Sequence, residues 1–94
     1  MKPRITISTN GEGELEVWLN EAGRDLLVKE LQGLSAERDH FHLQTEGLGE
    51  VPLQGRAYRD GDRVLQWGKV LFRPDEWDRR HSPHVLGPGE ASDG

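Results

Sequence analysis

The chain contains no cysteine, which excludes disulfides and thiolate zinc sites. It has no excess of basic residues: 12 Lys and Arg stand against 17 Asp and Glu, a formal net charge of -5. Phosphate contacts need a basic surface, so nucleic acid is not the expected partner. No apolar run is long enough for a signal peptide or a membrane span, and a cytoplasmic location is the default expectation. Hydrophobic residues are sparse at 33%, with mean hydropathy -0.78. With 94 residues, one small domain with a thin core is what the chain can build.

Catalytic signatures are missing as well. There is no GxSxG elbow and no thiol nucleophile, and the glycines around Gly11 and Gly47 lack the spacing of a phosphate-binding loop. The sequence therefore reads as a non-enzymatic protein that needs no cofactor.

What is present is alternation. Residues 4–9 place Ile5 and Ile7 on one side and Thr6 and Ser8 on the other, a half-buried strand. An Asn10-Gly11 turn follows. Residues 14–19 alternate again, with Leu15, Val17 and Leu19 expected inward and Trp18 outward. Asn20 suits a helix N-cap, and residues 21–34 carry a stripe of Leu27, Leu31 and Leu34 at helical spacing. Residues 39–49 form a third strand with Phe41 and Leu43 on one face and His40, His42 and Gln44 on the other, ending in a glycine loop. Residues 51–53 suit a sheet edge, because Pro52 lacks an N–H. Asp60-Gly61 marks a further turn before the long extended run 63–73. The expected fold is α+β: a small, mostly antiparallel sheet in the order ββαβββ, one helix on one face, a single domain over residues 1–74 and a mostly flexible tail over 75–94.

His40 and His42 share a strand face at a spacing that two metal ligands can use. The pattern alone is common, and no HExxH or cysteine set accompanies it, so no metal is assigned. Trp18 lies on the polar side of its strand. Either it is open to a partner or another part of the chain, such as Trp67 or the Trp77 segment, covers it.

Four stretches read together carry a family resemblance: Gly-Glu-Leu-Glu-Val-Trp at 13–18, Lys-Glu-Leu-Gln-Gly-Leu at 29–34, Asp-His-Phe-His-Leu at 39–43, and Gly-Lys-Val-Leu-Phe-Arg-Pro at 68–74. In this order the chain resembles immunity protein family 32 of bacterial polymorphic toxin systems, over residues 4–74. The resemblance implies a cytoplasmic protein that neutralises a cognate toxin by stoichiometric binding, with no catalytic residues. The residues expected to meet that partner are His40, His42 and Gln44 on the strand, Glu46 and Glu50 in the loop, Asp60 and Asp62 in the turn, and Trp18 and Trp67 as apolar anchors. An acidic surface of this kind would favour a basic partner. The other readings are a small accessory or self-associating domain that uses a sheet edge, monomer or homodimer, and a metal-binding protein built on His40 and His42.

Overall fold

The computed structural model describes residues 2–45 and 49–89. The fold is α+β. Its strands are β1 (Ile5–Thr9), β2 (Leu15–Leu19), β3 (His40–Thr45), β4 (Val51–Leu53), β5 (Arg63–Val64) and β6 (Trp67–Leu71). Helix α1 (Glu21–Gln32) lies between β2 and β3, and helix α2 (Asp75–His81) follows β6, with a single 3-10 turn at Pro83–Val85 after it.

The strands divide into two three-stranded sheets, ordered β2-β1-β5 and β4-β3-β6, where one sheet was expected. The run 63–73 breaks at Leu65 and Gln66, so that β5 pairs with β1 and β6 with β3. The sheets are joined where Gln54 N–H, just past β4, donates to the Ile5 carbonyl of β1 at 2.7 Å, and at the break itself, where Leu65 N–H still bonds the Ile7 carbonyl of the first sheet at 2.7 Å and the Gln66 carbonyl already accepts from Thr45 N–H of the second at 3.0 Å. Most pairings are antiparallel. β4 instead runs parallel to β3, with Val51 beside Leu43 and Pro52 beside Gln44, and it lies at the sheet edge, where the missing proline N–H costs nothing.

Asn20 fastens the first helix to the first strand. Its Oδ1 accepts from Gly23 N–H at 2.7 Å and from Arg4 N–H at 2.9 Å, and its Nδ2 donates to the Lys2 carbonyl. One side chain thus caps α1 and holds the start of β1. Gly23 allows the close approach that results: a Cβ there would sit 2.5 Å from the Arg4 carbonyl oxygen and 2.9 Å from Ile5 Cγ1. The helix runs to Gln32, two residues short of the expected stripe.

The core is small. Ile5, Phe41, Leu43, Val51 and Leu53 are buried, and Ile7, Leu27, Leu34 and Val70 pack against them. Phe41 and Leu43 lie under α1 as the alternation predicts, but Leu31, expected in the same stripe, is exposed.

Sheet β2-β1-β5 departs from its sequence pattern. Thr6 and Ser8, the polar side of β1, are buried, whereas Leu15, Val17 and Leu19 are exposed. Two facts explain the exchange. Residues 54–62 fold back over the polar face: Gln54 Nε2 donates to Thr6 Oγ1 at 3.1 Å, Trp18 Nε1 donates to Ser8 Oγ at 3.2 Å, and Tyr58 stacks on Trp18. Each buried hydroxyl therefore has a partner, as burial requires. On the apolar face β2 is the outer strand, and α1 covers Ile5 without covering the edge.

The segment beyond residue 74 begins with α2. Arg73 lies over the Trp77 ring at 4.5 Å, and Trp77 packs against His81 at 4.6 Å. No helix among the described residues is long and apolar enough to cross a membrane.

Candidate binding face on the second sheet

β3 is the central strand of its sheet, so its outward side chains are held on both flanks. Antiparallel pairing with β6 sets His40 opposite Leu71, His42 opposite Lys69 and Gln44 opposite Trp67. These six side chains share one face of the sheet, because residues paired in register point the same way. Phe41 and Leu43 point the other way, into the core. α2 lies beside the His40 end and leaves both histidines exposed.

The two histidines of the face are held by carboxylates. His42 N–H donates to Glu50 Oε1 at 2.8 Å, and the His42 ring Nδ1 lies 3.4 Å from the same oxygen. The backbone donor is the chief reason the Glu50 carboxyl titrates below its ordinary value. His40 Nδ1 lies 2.8 Å from Asp39 Oδ1, and this contact is the chief cause of the lowered Asp39 pKa. The other Asp39 oxygen accepts from Arg73 Nη1 at 3.3 Å. The two imidazoles meet edge-on, with centroids 5.1 Å apart. A line of contacts thus runs from His42 through His40, Asp39 and Arg73 to Trp77.

Gly49 sets the position of Glu50. A Cβ at Gly49 would stand 2.8 Å from the His42 carbonyl oxygen, so only glycine lets the loop pass this close to β3. Glu46, expected to extend the face, lies outside the described residues. Trp67 is 75% exposed, the most open of the large hydrophobic side chains among the described residues, and Leu71 is half exposed on the same strand.

The remaining expected contact residues gather elsewhere. Trp18 is covered by Tyr58, which stacks at 4.3 Å and 8°, and Arg59 lies over it at 5.2 Å. Neither Trp67 nor Trp77 supplies that cover. Arg59 also bonds Glu16 and Asp62. The Asp62 side chain is only 5% exposed and is spent on Arg59, so it is not free to meet a partner; Asp60 beside it is exposed. The single surface expected from the sequence is therefore two: the His40–His42–Gln44–Trp67 face with Glu50, and a separate Trp18–Tyr58–Arg59 cluster on the other sheet. Lys69 makes the first face mixed in charge, where an acidic one was expected. Alternation could have placed Lys69 and Leu71 on it, once β6 was paired with β3.

The chemistry this face offers is recognition. It presents an open indole, two imidazoles with Nδ1 held by carboxylates, an amide and an ammonium. Among the described residues no group of three His, Asp or Glu side chains is arranged to hold a metal ion.

No family model matches the chain, and no solved structure matches it. A porphobilinogen deaminase from Oceanobacillus iheyensis is 34% identical over 73 residues, covering 69% of this chain and 23% of the deaminase. The chain thus spans less than a quarter of that relative's length.

Proposed function

We propose that the chain is a stoichiometric binding protein of the immunity type, which neutralises a cognate bacterial toxin by occupying it through the outer face of β3 and β6. The observation that carries this reading is Trp67, open to solvent on a sheet face whose two histidines already contact carboxylates. Binding hot spots have this anatomy: a large aromatic anchor, little left to order on association, and a polar surround. Glu50 and Asp39 supply negative charge at one side of the face, which suits a partner with Lys or Arg at the matching rim. The resemblance over residues 4–74 supplies the class of partner.

The test is co-expression with the polypeptide encoded beside this chain. That neighbour should arrest growth of a host cell, and the wild-type chain should restore growth while forming a complex with it. Trp67→Ala should weaken the complex by roughly 30-fold, the scale of losing one aromatic anchor. A neighbour that is harmless, or a complex indifferent to Trp67→Ala, contradicts the reading. The deaminase likeness suggests turnover of porphobilinogen as a second activity; consumption of that compound by the purified chain would favour it over binding.

A further inference from the structure

Leu15, Val17 and Leu19 are 64%, 47% and 40% exposed, although they share a sheet face with fully buried Ile5. They lie on β2, the outer strand of its sheet. Asn10 N–H bonds the Glu14 carbonyl and Asn20 N–H bonds the Arg4 carbonyl, so the even-numbered residues of this hairpin turn their backbone groups toward each other. By the alternation of an antiparallel ladder, the N–H and C=O groups of Leu15, Val17 and Leu19 point out of the sheet. This strand therefore offers both a free hydrogen-bonding edge and an uncovered apolar face.

We propose that the β2 edge is a homodimer interface, in which two copies pair β2 with β2 antiparallel about a two-fold axis through Val17. The strand is self-complementary in this register alone. Val17 meets Val17 of the second copy, and Leu15 meets Leu19 at both ends, so three pairs of outward-facing residues exchange backbone bonds. On the other face Glu16 falls beside Trp18, where its carboxylate is already paired with Arg59. Centring the axis one residue earlier would set Glu16 against Glu16, a like-charge pair that destabilises a sheet. Centring it one residue later would shorten the pairing.

Two further observations favour a second copy. Arg24 borders the same surface recess as Leu19 and Asn20, which turns that flank of α1 toward the β2 edge. Val28 and Leu31 lie on this flank by helical spacing, and both are about half exposed. In the dimer the two helices would flank the paired strands and close over the leucines. The edge also lacks the usual guards: β2 has no Lys and no Pro, whereas β6 carries Lys69 and β4 carries Pro52. This surface lies on the other sheet from the face proposed for the toxin, so either proposal can fail alone.

Sedimentation of the purified chain over a dilution series tests this. The wild type should run at twice its 10.6 kDa chain mass. Val17→Lys sets two ammonium groups face to face and should weaken association by at least about tenfold, with an unchanged circular dichroism spectrum. Leu71→Lys, on the other sheet, should leave the dimer intact. Because the chain is free of cysteine, a Val17→Cys variant gives a second reading of the register: a short bis-maleimide should link two copies through Val17→Cys and not through Leu15→Cys, which lies opposite Leu19 of the second copy and far along the strand from its own counterpart. A wild type that stays monomeric at every concentration overturns the proposal and leaves the edge to a different chain. A dimer broken by Leu71→Lys but not by Val17→Lys overturns it too.

Discussion

Glu50 and Asp39 are the residues on which the histidine strand rests, and both have depressed pKa values for reasons that exist only in the folded chain. Glu50 accepts the His42 backbone N–H; Asp39 contacts His40 and Arg73. A carboxyl whose folded pKa lies below its unfolded value adds stability that is complete above the unfolded value and is lost as pH falls through the folded one. The ordinary values are 4.5 for Glu50 and 3.8 for Asp39, so the loss falls on the acid side of them. Thermal melts from neutral pH downward should show stability declining below about pH 4.5, with a shallower decline in Glu50→Gln. Equal slopes in both proteins would mean that the Glu50–His42 contact does not persist in solution. Zinc or nickel at saturation should leave the melting temperature of the wild type unmoved, because His40 and His42 have no third ligand among the described residues.

At the scale of elements, α1 and β1 depend on one another through Asn20. Asn20→Ala removes the helix cap and two strand contacts together and should cost about 1–2 kcal/mol. For a chain of this size that lowers the melting midpoint by roughly 4–8 °C per kcal/mol. Gly23→Ala should cost at least as much, since its Cβ meets backbone and a core isoleucine that cannot both yield. A Gly23→Ala protein as stable as wild type would show that α1 does not sit this close to β1. The elements themselves were legible in the sequence: alternation located β1, β2 and β3, Asn20 announced the helix, and Pro52 put β4 at an edge. Periodicity gives the side on which a residue points. It does not say whether anything lies there. For that reason Thr6 and Ser8 could not be read as buried, nor Leu15, Val17 and Leu19 as exposed. Asp62 was read as a surface acid for the same reason: its partner Arg59 also reaches Glu16, across 43 positions of sequence, a closure that only the folded chain brings about.

For the molecule at large, five buried hydrophobic side chains among the described residues hold two sheets and a helix together. A core this size tolerates little loss. Phe41 is fully buried at its centre, and Phe41→Ala should cost about 3–5 kcal/mol. Set against a typical total of about 5–15 kcal/mol, that is enough to leave much of the protein unfolded near body temperature. Denaturant melts would check it. The same economy explains the surface. Apolar side chains that a larger core would have absorbed stand open on two faces, Trp67 and Leu71 on one and Leu15, Val17 and Leu19 on the other. These two faces are where the toxin contact and the self-pairing proposed above are placed.

The most direct measurement is a calorimetric titration of the purified chain into the polypeptide encoded beside it. Saturation should come at one chain per partner molecule, with an affinity reduced roughly 30-fold by Trp67→Ala and unchanged by Val17→Lys. Absence of binding, or binding that ignores Trp67→Ala, would contradict the proposed function.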